Sequence, residues 1–126
     1  MIRQSLLFAL SAFALALPAA ADPTVSALIQ IGSDAVSPTR VRMAAERGFA
    51  FRNETDAMAR IVFDRKSAER LDCQAGEAAT GRSGQFVLET GATLHCQGQG
   101  GTLGYTVYWR NSDGAVQRTK GRVHAP

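Results

Sequence analysis

The chain has few of the side chains that do chemistry. It contains two histidines, two cysteines, three methionines and one tryptophan in 126 residues. Two histidines leave little room for a nucleophile–imidazole–carboxylate relay, and no serine stands in a setting that suggests one. Glu46, Glu54, Asp56 and Asp64 are scattered over strand ends and turns, which reads as solvated charge and not as a paired acid and base. Gly98 to Gly101 is followed by neither a Lys-Ser/Thr pair nor a helical pattern, so it is a turn and not a phosphate cradle. The chain also lacks a charge block: the formal net charge is +3 and the bases are dispersed, which does not imply nucleic acid. Helical periodicity is nearly absent, and there is no internal repeat, low-complexity tract or linker. These absences argue against an enzyme.

The only long apolar run is at the N-terminus. Arg3 precedes Leu6 to Leu17, Pro18 ends the run, and Ala19-Ala20-Ala21 offers an A-x-A cleavage site before Asp22. A membrane-spanning helix needs about 20 apolar residues, so a cleaved signal is the better reading than a retained anchor. The expectation is a signal peptide over residues 1–21 and a single domain over 22–126. The product is periplasmic or secreted, with no membrane span after cleavage. An even cysteine count in an exported chain suggests a disulfide between Cys73 and Cys96, with free thiols and metal ligation as alternatives.

The remaining sequence alternates with a period of two. Thr24 to Gly32, Thr39 to Glu46, Phe49 to Arg52, Met58 to Asp64, Phe86 to Glu89, Ala92 to Gln97, Leu103 to Arg110 and Ala115 to Val123 read as strands. Asn111-Ser112-Asp113-Gly114 is a hairpin turn, since Asn, Asp and Gly tolerate positive φ. Arg65 to Thr80 loses the period and reads as a crossover loop with one helical turn. Seven to eight short strands with regular turn signals predict an all-β, antiparallel Greek-key β-sandwich.

Six segments, in order, resemble the cupredoxin (blue-copper) family across most of residues 22–126. Ile29 to Gly32, followed by Ser37-Pro38-Thr39-Arg40-Val41, is similar to its opening strand, S-P turn and second strand. Arg47-Gly48-Phe49-Ala50-Phe51-Arg52-Asn53 resembles A-G-D-x-V-x-F-x-N, and Ala57-Met58-Ala59-Arg60-Ile61-Val62-Phe63 resembles V-P-H-x-V-x-F. Thr90-Gly91-Ala92-Thr93-Leu94 resembles P-G-E-S-F. Gly101-Thr102-Leu103-Gly104-Tyr105-Thr106-Val107 resembles G-T-Y-x-Y-x-C, and Lys120-Gly121-Arg122-Val123 resembles the closing strand. The resemblance implies a cupredoxin-like sandwich, but not the copper chemistry. Type 1 copper needs a thiolate, two imidazoles and a weak axial thioether. Here the first histidine position is Ala59, the cysteine position is Val107, and no histidine or methionine lies between Val107 and Gly121.

Other donors are sparse. His95 and Cys96 are adjacent on a strand and point to opposite faces. Met43 reads as core. Met58, His95 and His124 are the candidates for a non-classical copper site, using Met58 with one histidine. Asn53-Glu54-Thr55 matches a glycosylation sequon. Tyr108, Arg110 and Arg118 form a candidate partner-binding patch, since Tyr and Arg are favoured at interface hot spots. Arg40, Arg42, Arg52 and Arg60 suggest a second basic face for an acidic partner or lipid headgroups. The expectation is an exported, cofactor-free binding or interaction module, its partner a periplasmic protein or envelope component, not nucleic acid. Periplasmic copper binding is the alternative.

Overall fold

Alternating apolar and polar residues become two stacked sheets. The computed structural model describes residues 25–44, 47–75, 79–82 and 84–126. The expected signal peptide lies outside these residues. Among them the chain forms β1 (Val25–Ile31), β2 (Val36–Ser37), β3 (Arg40–Arg42), β4 (Gly48–Asn53), β5 (Ala59–Phe63), α1 (Arg65–Ala68), β6 (Leu71–Ala75), β7 (Ala79–Arg82), β8 (Gln85–Leu88), β9 (Thr93–Gly98), β10 (Gly101–Arg110) and β11 (Val116–Ala125). One sheet has the order β2-β1-β4-β9-β6 and the other β3-β11-β10-β5-β8-β7.

The β-sandwich expected from the period of two is therefore present, with two differences. First, both sheets are mixed. β1 pairs parallel with β4, and β11 pairs parallel with β3. The cause is the path of the chain: after β1 it crosses to the other sheet as β3, then returns beside β1 in the same direction. Second, the described strands are more numerous than expected. Thr39 to Glu46 contributes only the three residues of β3, and the presumed crossover loop contains β6 and β7. β6 alternates apolar and polar residues, but over only five positions. Its Leu71-Asp72-Cys73-Gln74-Ala75 pairs with β9, placing Cys73 directly opposite Cys96.

Those two cysteines form a disulfide across a sequence separation of 23. Closing a loop of that length stabilises a fold by about 3 kcal/mol in the chain-entropy model. The short helix α1 is held at both sides. The Asp64 carboxylate accepts from the Ser67 backbone N–H at 2.8 Å as an N-cap. The buried Ser67 hydroxyl accepts from the Gly104 N–H at 2.8 Å, docking the turn on β10.

An aromatic cluster joins the two layers. Phe49 and Phe51 come from β4, and Phe63, Phe86 and Tyr105 from the facing sheet. Their rings meet edge-on, from 4.9 Å between centroids for Phe51–Tyr105 to 6.4 Å for Phe49–Phe63. Such pairs contribute roughly 0.5–1.5 kcal/mol each beyond area burial. Tyr105 is almost fully buried, its hydroxyl finds no hydrogen-bond partner among the described residues, and desolvation pushes its pKa up to about 12.

One polar group crosses between the layers. Asn53, at the end of β4, is fully buried. Its side-chain amide donates to Leu88 O on β8 at 2.9 Å and to Ala57 O at 2.8 Å. Its side-chain oxygen accepts from the Thr55 N–H at 3.0 Å and the Thr55 hydroxyl at 2.7 Å. The Asn53 side chain is thus an internal hydrogen-bond hub. The sequon reading fails for the same reason, because the amide is enclosed and both its ends are engaged.

Asn53→Ala removes the amide's bonds to Leu88 O and Ala57 O and the acceptor of the Thr55 N–H, and unfolding in urea should show a loss of about 2–4 kcal/mol. A loss under 1 kcal/mol would mean the hub is incidental. For Tyr105 the folded-state pKa lies above its ordinary value of 10. Its contribution is therefore whole below pH 10 and is lost as pH rises towards 12. The parent protein should lose about 2–3 kcal/mol more than Tyr105→Phe across that window; parallel stability curves for the two proteins would contradict this.

Candidate functional site

β5 and β10 carry the positions at which the resemblance puts metal ligands. Ala59 opens β5 and is closed into the core at 1% exposure; Val107, midway along β10, is at 0%. Val107 stands opposite Ile61. Continuing that register brings Trp109 opposite Ala59. Trp109 is buried, and its indole N–H donates to the Thr119 hydroxyl at 3.4 Å. The inward side chains at these positions are the methyl groups of Ala59 and Val107 and the indole of Trp109. These residues do not fit a copper ion, since none offers a thiolate, imidazole or thioether.

The other candidate donors do not converge. Met58 stands on the loop before β5 and is largely exposed. His95 is exposed on the outer face of the five-stranded sheet, while Cys96 points inward to the disulfide. His124 lies near the far end of β11 in the six-stranded sheet, opposite Thr102, whose hydroxyl is 3.2 Å from its Nδ1. Met58 belongs to the end of the sandwich where β11 begins. It is therefore separated from His124 by about eight residues of strand, roughly 26 Å. Met58 thus has no histidine within reach along its own sheet. Among the described residues no cluster of three or more His, Cys, Asp or Glu could hold a metal ion. Met43 is in the core, as its position on the apolar face of its segment implies.

The outer face of the six-stranded sheet is different. In β11 every second residue points outward, so Arg118, Lys120, Arg122 and His124 form one exposed column. β3 adds Arg40 and Arg42, which stand directly opposite Arg122 and His124. β5 adds Arg60, whose guanidinium carbon lies 4.6 Å from the centre of the Tyr108 ring. Tyr108 faces Arg118 on one side and Arg60 on the other. Of the expected patch, Tyr108 and Arg118 are neighbours on this face. Arg110 shares it but is engaged in the hairpin, donating to Gly114 O at 2.8 Å. The turn itself is set by Asn111, whose side-chain oxygen accepts from the N–H groups of Asp113 and Ala115, and by Gly114 at φ 83°.

Arg52 does not belong to the second basic face. It lies on β4 in the other sheet and pairs with Glu54 at 3.8 Å. Lys120 and Arg122 take its place. Their alternation within Ala115 to Val123 was visible in the sequence. What was not visible was that β11 lies beside β3, because that contact is parallel and joins strands more than seventy residues apart. Among the described residues no carboxylate pairs with Arg40, Arg42, Arg118, Lys120 or Arg122.

Two connected grooves cut this face. One of about 460 Å³ is bordered by Arg40, Lys120 and Arg122 on one side and Val62 and Asp64 on the other, over a floor that includes Gly104 and Thr106. A second, of about 300 Å³, shares Arg40 and Arg122 and runs on to Thr102, Arg42 and His124. A third groove, of about 550 Å³, lies elsewhere, beside Arg70 and Gln99. There the Arg70 guanidinium is engaged in latching the β9–β10 turn, donating to the carbonyls of Gln99, Gly100 and Thr102.

No family model, no curated protein and no solved structure matches the chain. Its functional reading therefore rests on the geometry.

Like charges placed directly opposite in neighbouring strands cost stability. Arg40→Glu replaces the Arg40/Arg122 repulsion by an opposite-charge pair, so the variant should unfold at higher urea by roughly 0.2–1 kcal/mol. A destabilised Arg40→Glu would mean that Arg40 makes a favourable contact instead.

Proposed function

We propose that this is an exported cupredoxin-like domain that has no type 1 copper centre and works as a binding module. The observation that carries the reading is the apolar filling of the ligand positions. Ala59 and Val107 are buried, and so is Trp109, the next inward residue of β10 after Val107. Support for the cupredoxin-like part is that the resembling segments fall on successive strands: β1, β3, β4, β5, β9, β10 and β11. Support for export is the disulfide Cys73–Cys96, a bond that persists in oxidising compartments. No catalytic role is proposed. The free cations lie on an open sheet face, and among the described residues the Thr102 hydroxyl that meets His124 in the second groove has no carboxylate beside it to complete a relay. A face of this kind suits association with a protein or envelope component.

The test is metal titration of the purified protein, residues 22–126, with Cu(II) and with Cu(I) under reducing conditions that spare the disulfide. The expected result is no stoichiometric binding tighter than micromolar and no intense blue absorption. A blue chromophore would overturn the ligand argument. Tight colourless binding, abolished by Met58→Ala or His95→Ala, would establish a copper-handling protein in its place.

A further inference from the structure

The basic face is organised around one unusual pair. Arg40 on β3 and Arg122 on β11 are registered directly opposite each other in parallel strands. Both are exposed, and among the described residues neither meets a carboxylate. Two guanidinium groups held side by side present several N–H donors towards one point, an arrangement matched by a carboxylate between them. A like-charge pair is a poor choice for stability, so its presence points to a ligand that supplies the missing negative charge.

The surroundings define that ligand further. Along β10 the outward residues Thr102, Gly104 and Thr106 are small, so the strand forms the floor of a trough beside the taller cation column of β11. Gly104 is needed there, since a Cβ at that position would meet Asp64 Oδ2 at 2.5 Å. The cations Arg118, Lys120 and Arg122 repeat every second residue, about 6.6 to 6.8 Å apart. An extended peptide with acidic residues at alternate positions presents carboxylates at the same interval. The hydroxyls of Thr102 and Thr106 add hydrogen-bonding groups along the floor. Asp64, at the edge of the trough, repels a carboxylate and restricts where the acidic side chains sit.

A membrane surface fits less well. The large apolar side chains exposed among the described residues are Leu28, Met58 and Val116. Leu28 is on the other sheet, and Met58 and Val116 belong to the hairpin end of the sandwich. The trough therefore has no apolar wedge to enter a bilayer. Nucleic acid also fits poorly, because bases need exposed aromatic faces to stack on. Tyr108 is the aromatic residue on this face, and one side of its ring is covered by Arg60.

We propose that the trough along β10 is a docking site for an extended acidic segment of a partner protein, with Arg40 and Arg122 gripping one carboxylate and Lys120 and Arg118 the next. This deepens the binding-module reading and rests on it. The probe is a fluorescein-labelled twelve-residue peptide of alternating Glu and Ala, followed by fluorescence anisotropy at 20 mM and 200 mM NaCl. The parent should bind at low salt and weaken at least tenfold at high salt. The Arg40→Ala/Arg122→Ala double variant should lose at least tenfold at low salt, while Arg52→Ala on the other sheet binds as the parent does. The double variant should melt no lower than the parent, because the repulsion is gone. Backbone amide shifts on titration should concentrate at residues 102–106 and 118–124.

The proposal is overturned by absence of binding at 1 mM peptide, by equal affinity of parent and double variant, or by shifts confined to the five-stranded sheet. Cosedimentation with phosphatidylglycerol vesicles that survives 200 mM NaCl would assign the face to a membrane and also overturn it. The two readings fail separately. Tight copper binding would contradict the copper-free module without altering the peptide titration. A protein that binds neither copper nor peptide loses only the trough.

Discussion

The side chain of Asn53 is the constraint on which the rest of the molecule depends. It is the buried polar group that spans both layers, from the end of β4 to the carbonyl of Leu88 on β8. A buried amide left partly unpaired is expensive, so all of its bonds must form together. That requirement fixes the turn through Thr55 and Ala57, and the turn fixes where β5 begins. Because strand side chains alternate, a slip of one residue at Ala59 would turn Ile61 and Phe63 outward and Arg60 inward. The aromatic cluster between the sheets and the cation–π contact of Arg60 with Tyr108 thus rest on the same turn.

The β5 register also determines what the interior and exterior of the six-stranded sheet can do. Inward, Ala59, Val107 and Trp109 pack where the resembling family would carry ligands, and the result is ordinary core. Outward, the sheet carries Arg40, Arg42, Arg118, Lys120 and Arg122, which among the described residues pair with no carboxylate. The sheet has separated its residues into an inert interior and a strongly one-signed surface. The hairpin at Asn111 to Gly114 completes the first part, since it joins β10 to β11 without a histidine, cysteine or methionine. The parallel pairing of β3 with β11 completes the second, by bringing Arg40 beside Arg122.

Much of this was legible in the chain. The period of two in Leu103 to Arg110 assigned Tyr105, Val107 and Trp109 to the core and Tyr108 to the outside, and they lie there. Two cysteines in a chain with a signal-like N-terminus pointed to a disulfide, and Cys73 and Cys96 form one. Local pattern could not give the pairing of distant strands. β6 and β7 are edge strands of five and four residues, too short for their own pattern to stand out, and β9 and β8 offer them hydrogen bonds. The basic face needed the same non-local information. Arg52 looks equivalent to Arg40 in sequence, yet β4 and β3 belong to different sheets. The burial of Asn53 was not legible for a related reason: a polar residue at a strand end usually faces water, and here the approach of Leu88 O supplies a partner inside.

The central claim is that the position expected to hold a metal is closed, apolar core. Trp109 is the only tryptophan in the chain; it is buried two residues after Val107 and in register with Ala59, so it reports on this region. The measurement is indole fluorescence of the purified protein, with acrylamide as a collisional quencher and then with one equivalent of Cu(II) or Cu(I). The account predicts blue-shifted emission, weak acrylamide quenching and no response to copper. Red-shifted emission with ready acrylamide quenching, or stoichiometric quenching by either copper ion, would contradict it.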